Sequence, residues 1–373
     1  MTTRPSSHEP HSAGSDLAKA GTVTAWALLA VRFVQGWIYW GGGTRRFIYA
    51  PQKLDPHASS WMANKLQTAM PGALLGLGNL VAFLLHHFTL LYASLIFFSA
   101  LELVFGLFLI LGFMTRLSAL VTIGLSFALM LLFGWQGATC IDEWTMASAN
   151  FAMGMTLFVA GASAVSLDAW MLKRRPSLND KPWFQWFGSG TWNEHRTRRV
   201  GLIGAAITMI FVGLTYNYYR GSILTPFHGG PVSPAKHAIR LSRGTLRQDG
   251  EVRFLADVDA GTAAEPSNIV NILLTTPRGR LVERWNSRAL RTLPKQDIKN
   301  IFAYNKFVTA YAGLGAKVGA QAWITLPPGI SGSTLKMGSY RLVVRTVNGH
   351  SFRLPLTLST RETAGKHPVS PPR

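Results

Sequence analysis

From Leu90 to Phe113 the chain carries a single charged side chain, Glu102, in a run otherwise made of leucine, phenylalanine, isoleucine, valine, one tyrosine and small residues. A helix apolar on every face is at home only in a core or a membrane, and about 20 such residues span the hydrocarbon of a bilayer. Comparable runs extend from Gly21 to Gly42, interrupted by Arg32 and Gln35, from Leu117 to Phe133, and from Trp144 to Val165. With short connections, these four are expected as an antiparallel transmembrane bundle. A secretory leader fits the first run poorly, because Arg32 interrupts it and no small-residue cleavage site follows; it reads as a retained anchor.

The piece from Pro71 to Phe88, PGALLGLGNLVAFLLHHF, is short and glycine-rich, and is expected as a re-entrant or interfacial helix. Leaving it out gives an even number of spans, so the amino terminus and the loop from Lys173 to Arg199 share a side. That loop holds Lys173, Arg174, Arg175, Lys181, Arg196, Arg198 and Arg199, with Trp183, Trp186 and Trp192 suited to an interface. The positive-inside rule places it in the cytoplasm. Arg45, Arg46, Lys53 and Lys65 then lie outside, against the rule, so another reason is needed for them.

A fifth span, Gly201 to Tyr219, carries the chain back out. Beyond it the period changes: EVRFLADV, QAWITL, YRLVVRTV and SFRLPLTL alternate apolar and polar residues, and Asn348-Gly349 between the last two is a hairpin turn signal. The expected fold class is therefore membrane α plus β: a four-helix transmembrane bundle, an additional transmembrane helix, and a C-terminal antiparallel β-sandwich outside the membrane, with one helical stretch near Lys295 to Ala312. The expected boundaries are a disordered tail over 1–20, the bundle over 21–170, a basic linker over 171–199, the fifth helix over 200–220, the sandwich over 221–362 and a disordered tail over 363–373.

Lysine and arginine (37) outnumber aspartate and glutamate (17), giving a net charge of +20 that suits anionic lipids, nucleic acid or small anions. One cysteine, Cys140, leaves no room for an internal disulfide, a CxxC pair, a thiolate zinc cage or a cysteine-held iron–sulfur cluster in a single chain. No H-E-x-x-H occurs and the histidines are scattered, so no metal is expected. No dinucleotide fingerprint is present, although a flavin stays open.

Three stretches carry a family resemblance: VRFVQGWIYWGGGTRRFIYAPQKLDP at the first span, WMANKLQTAMPGALLG after it, and LELVFGLFLILGFMTRLSAL in the next long span. Through them the membrane half resembles DoxD, within the broader DoxX-like group, and the tail resembles DoxA; the two are subunits of thiosulfate:quinone oxidoreductase, here fused. The resemblance implies oxidation of two thiosulfates to tetrathionate at the outer face, with electrons passed to a membrane quinone. It implies as partners thiosulfate, quinone and the lipid bilayer, no nucleic acid, and a homo-oligomer or additional respiratory subunits. The expected localisation is the cell (inner) membrane, with the amino terminus cytoplasmic and the C-terminal domain periplasmic or extracellular.

Arg32 and Glu102 each sit near the middle of a span, where a charge is costly and usually paired, so an Arg32–Glu102 ion pair is expected, with either a clamping role or a catalytic one toward quinol protons. Arg45, Arg46 and Lys53 are the candidate thiosulfate site, because two dianions must approach and a forked guanidinium holds oxyanions with paired hydrogen bonds. The alternative is that arginines at a helix end snorkel to headgroups. The glycines before them form no nucleotide loop, for neither Gly-rich phosphate motif is present. His86, His87 and Trp135, with Tyr92, are the candidate quinone edge, histidine being able to meet a carbonyl or pass a proton. Arg116 in GFMTRLSAL reads as a topology-setting charge. Cys140 could take a sulfane sulfur, but its acidic neighbours Asp142 and Glu143 disfavour the thiolate. Two other functions stay open: a non-catalytic DoxX-like membrane scaffold or assembly partner, and an anion transporter centred on Arg32.

Overall fold

Proline is absent from all the long apolar runs, so each can close into a helix with its backbone hydrogen bonds made internally. The computed structural model of the protein describes residues 13–136, 143–162, 164–221, 224–226, 238–262, 265–329 and 334–359. Cys140 and Asp142 lie outside the described residues, as do positions 1–12 and 360–373. The helices are α1 (Ala13–Thr44), α2 (Met62–Ala69), α3 (Leu77–His86), α4 (Phe88–Leu111), α5 (Thr115–Phe133), α6 (Glu143–Ala160), α7 (Leu167–Arg174), α8 (Pro182–Phe187) and α9 (Glu194–Arg220). The chain divides into two compact units: Met1–Met62, Phe88–Gly134 and Thr139–His228 form one, and Ala63–His87, Trp135–Ala138 and Gly229–Arg373 the other.

In the first unit α1 packs on α4, α4 on α5, α5 on α6 and α6 back on α1, and α9 lies against α6. Among the described helices, Phe88–Leu111, Thr115–Phe133 and Glu194–Arg220 are long and apolar enough to cross a membrane. The first helix begins at Ala13, so positions 13–20, expected as a disordered tail, are helical. The last begins seven residues before the expected Gly201, because the Asn193 side chain accepts the Arg196 amide and caps it.

Helices α1 and α4 approach at glycines. A Cβ on Gly36 would stand 2.8 Å from the Ile110 nitrogen, one on Gly43 would press on Leu103, and one on Gly106 would overlap the Trp40 backbone. Removing the side chains lets two backbones meet where apolar lipid offers no hydrophobic drive for association. Gly42 and Gly43 of the glycine run serve this approach, Gly42 facing Glu102.

The far end of the unit is fastened by Asp168, which is fully buried. Its carboxylate accepts from the Met114 and Thr115 amides at 2.8 and 3.0 Å, the Thr115 hydroxyl at 2.9 Å and the Ser189 hydroxyl at 2.6 Å. The tight α4–α5 turn it caps holds Gly112 and Met114 at φ of 64° and 45°. Arg116, expected as a charge facing the aqueous side, is instead 3% exposed. Its guanidinium donates to the Phe158, Gln185 and Gly190 carbonyls and stacks 3.8 Å from the Trp192 ring centroid.

The second unit holds β1 (Ala238–Leu246), β2 (Val252–Ala260), β3 (Ser267–Thr275), β4 (Leu281–Asn286), α10 (Ser287–Arg291), β5 (Ile298–Asn300), β6 (Val308–Ala310), β7 (Gly313–Ala316), β8 (Gln321–Leu326), β9 (Gly338–Thr346) and β10 (Ser351–Leu358). They form two antiparallel sheets, ordered β1-β2-β8-β5 and β10-β9-β3-β7-β6, with β4 also paired to β3. The Asn348-Gly349 turn joins β9 to β10 as the sequence predicts, Gly349 taking φ of 84°. The helix expected over Lys295 to Ala312 is absent from those described residues; a 3-10 turn leads into β5 and a loop into β6. Asn300 closes that loop by accepting the Phe307 amide at 2.7 Å and donating to its carbonyl at 3.0 Å, and β5 pairs with β8.

The α2 segment belongs to this unit. Gln67, fully buried, donates to the Asn305 and Gly319 carbonyls at 3.0 and 2.8 Å and accepts the Asn305 amide at 2.8 Å. Asn305 in turn donates to the Asn64 carbonyl at 2.8 Å.

Candidate active site

At Thr44 the α-helical pattern of α1 gives way to a π-helical turn, Arg45–Tyr49, closed by the Ala50 amide on the Arg45 carbonyl at 2.6 Å. A 3-10 turn, Pro51–Lys53, follows. The extra residue of a π turn rotates consecutive side chains apart, and such turns recur at functional sites. Here Arg45 is exposed, whereas Arg46 turns inward and forms an ion pair with Glu102 of α4. The two side chains are 17% and 19% exposed.

The expected Arg32–Glu102 pair is therefore corrected. The carboxylate lies opposite Gly42, and Arg32 lies about ten residues further down α1, ~15 Å along the axis. Arg32 donates instead to the Val165 carbonyl and packs beside Gly112 at the far end of the unit. Between the two ends runs a buried polar seam. The Tyr39 hydroxyl meets Ser126 Oγ at 2.7 Å and donates to the Thr122 carbonyl at 3.1 Å, and Gln35 Nε2 donates to the Asn150 carbonyl at 3.0 Å.

Arg46 also lines a cavity of about 430 Å³ with Phe47, Pro51, Leu54, Asp55, Pro56, Tyr92 and Ile96. Tyr92 stands in an aromatic row on the same unit, stacked on Phe88 at 5.9 Å, with Phe88 5.9 Å from Trp61. Lys53 is half-buried close by. Partial burial and then repulsion from Arg45 and Arg46 hold its ammonium below the ordinary lysine range. A bound anion would relieve that repulsion, and Arg45 and Lys53 are the cations placed to accept it, the Arg46 charge being met by Glu102.

The three residues expected at the quinone edge fall in the second unit with separate partners. His86 stacks on Phe302 at 4.9 Å, and His87 donates through Nδ1 to the Phe83 carbonyl at 2.7 Å. Trp135 is 3% exposed, packed on Gly72 and donating to the Ala69 carbonyl at 3.2 Å. Tyr92, grouped with them in the sequence, belongs to the first unit and lines the cavity beside Arg46. Sequence reasoning missed Asp168 and the Tyr39 seam, and the cavity itself, which the π turn creates by folding Pro51 to Pro56 back toward α4. Among the described residues no group of three or more histidine, cysteine, aspartate or glutamate side chains is arranged to hold a metal.

A bundle of apolar helices with an ion-paired cationic turn at one end, continued into an antiparallel β domain, defines a membrane protein with a C-terminal β domain. The family model described as TQO small subunit DoxD matches residues 27–213, and that described as TQO small subunit DoxA matches residues 219–354. The chain belongs to the DoxD family and carries a DoxA domain behind it, which gives it a role related to thiosulfate:quinone oxidoreductase.

Proposed function

We propose that the protein is a membrane thiosulfate:quinone oxidoreductase that joins two thiosulfates into tetrathionate and passes the two electrons to the quinone pool. The observation that carries the reading is the cationic turn: Arg45 is exposed beside Arg46, and Lys53 lies near enough that, after its partial burial, both guanidinium charges disfavour its ammonium, a repulsion that a dianionic substrate relieves. Thiosulfate presents sulfonate oxygens to the Arg45 guanidinium fork and to Lys53, and the added positive charge offsets the repulsion between two dianions as their terminal sulfurs meet. One sulfur–sulfur bond forms, no proton is consumed on the donor side, and quinone takes two electrons and two protons as its carbonyls become hydroxyls. Glu102 acts by holding Arg46 at the turn. No step is assigned to Arg32, which sits at the other end of the unit.

The turn is placed at the outer face of the cell (inner) membrane, with the amino terminus cytoplasmic and the β domain periplasmic or extracellular. Support comes from the basic α7 to α9 segment, which the positive-inside rule holds in the cytoplasm, and from the chain itself. Residues 63–87 of the α1–α4 connection and 135–138 of the α5–α6 connection both contribute to the β unit. The test is turnover by the purified full chain in detergent with thiosulfate and a short-tailed quinone analogue. Quinol and tetrathionate are expected in a one-to-one ratio, and absence of both products would reject the reading.

A further inference from the structure

We infer that the quinone ring binds in the cavity between the π turn and α4, lined by Arg46, Phe47, Pro51, Leu54, Tyr92 and Ile96. This rests on the oxidoreductase reading and adds the place of the acceptor. The volume, about 430 Å³, falls in the range of small-molecule sites, and the lining has the usual form of apolar walls with a few convergent polar groups. Those polar groups are a guanidinium, a phenol and the Asp55 carboxylate. The guanidinium charge is already met by Glu102, and Asp55 adds a further negative charge, so the cavity repels a dianion. A neutral ring with a carbonyl at each side suits this shallow, open depression: Arg46 and Tyr92 donate to one, and the ring lies against the apolar lining. Around the mouth stand Phe47, Ile48, Tyr49, Phe88 and Phe97, between 37% and 75% exposed, on a unit whose helices are apolar enough to enter a membrane. An isoprenoid tail leaves along that surface into lipid.

The geometry also brings donor and acceptor together. Arg45 is exposed on the turn whose next residue, Arg46, lines the cavity, and Lys53 lies near enough to feel both charges. Electrons released as two thiosulfates couple then reach the ring across one turn of backbone, and the ring takes its two protons from water at the open mouth. No carrier between the two is required.

The test uses the full-length protein in detergent and an azido-quinone that crosslinks on illumination, with attachment mapped by mass spectrometry. Labelling is expected within 46–56 and 88–96, displaced by excess unlabelled quinone. It should fall at least tenfold in Ile96→Trp, which fills the cavity, and at least threefold in Tyr92→Phe, which keeps the shape and removes the donor. Label confined to other segments, or undiminished in both variants, overturns the assignment. Wild-type tetrathionate production with ferricyanide as acceptor is measured alongside. Its absence rejects the oxidoreductase reading, while the crosslink map still decides where quinone binds.

Discussion

Arg46 and Glu102, 56 positions apart in sequence, are joined in an ion pair at the end of α1 where Gly42 and Gly43 bring that helix against α4. The pair explains two things at once. The glycines provide the clearance for the carboxylate to reach past Gly42, and the π turn supplies the rotation that points Arg46 inward while Arg45 stays exposed.

Replacing Glu102 by glutamine removes the countercharge and keeps the size. Breaking a fully buried pair costs about 3–5 kcal/mol, and partial exposure reduces this to about 1–3 kcal/mol. The expected result is a lowered unfolding midpoint in detergent together with a turnover drop of roughly tenfold, equivalent to about 1.4 kcal/mol, because Arg46 loses its orientation. Unchanged stability and kcat would show that the pair does not position Arg46.

Arg45→Gln and Lys53→Gln should each raise the thiosulfate KM. Loss of one charge-assisted hydrogen bond, about 1.5–3 kcal/mol, corresponds to roughly tenfold to a hundredfold. The wild-type KM should rise with ionic strength and the variants respond less, since fewer exposed charges remain to be screened.

The same lysine sets a pH dependence. Its ammonium is disfavoured in the free protein by burial and by Arg45 and Arg46, and a bound dianion favours it, so the complex holds a proton more tightly than the free site. Affinity is therefore flat while Lys53 is protonated in both states and falls as pH rises through its depressed value. The thiosulfate KM should stay level at neutral pH and climb in the alkaline range, earlier than an ordinary lysine would dictate. Lys53→Gln should abolish that alkaline limb in a KM–pH profile.

Asp168→Ala leaves two backbone amides and two hydroxyls without their acceptor inside the far end of the first unit. The expected loss is on the order of 3 kcal/mol, read as a lower denaturation midpoint, with little change in the KM for thiosulfate in whatever fraction stays folded.

Gly319→Ala places a methyl on the Gln67 carbonyl at a position with φ of 81°, and Gln67→Ala removes three buried hydrogen bonds. Both should loosen α2 from the β unit. Limited proteolysis or amide exchange over residues 63–87 should show faster cleavage or exchange than in wild type.

Much of this architecture can be read from hydrophobic period alone. The long runs lacking proline announce the α4, α5 and α9 helices, and the alternating segments announce β8, β9 and β10. Pairing across the bundle was less legible. Arg32 and Glu102 look equally deep when spans are counted from their ends, yet α1 begins well before the packed region, and that offset slides Arg32 to the opposite end. The start of α9 was hidden because Arg196, Arg198 and Arg199 resemble a loop, while a single capping asparagine decides the matter. Over 295–312 local helical preference lost to the Asn300 bridge and to pairing with β8. The cationic turn was legible as residues; the cavity was not, since it depends on how a π turn aims Arg46 and on where Pro51 to Pro56 fold back.

The hydrogen bonds of Gln67 to Asn305 and Gly319 have a consequence for how this chain can be taken apart. They tie a segment inside the DoxD match to two loops inside the DoxA match, so the boundary between the two families is not a boundary of the folded unit. A polypeptide cut after Gly221 would yield a β fragment with an empty socket where α2 belongs, and a membrane fragment bearing the plug. The two pieces, made together, have the means to recognise each other without a covalent link, which is how a fused protein and a two-subunit one can share a single design.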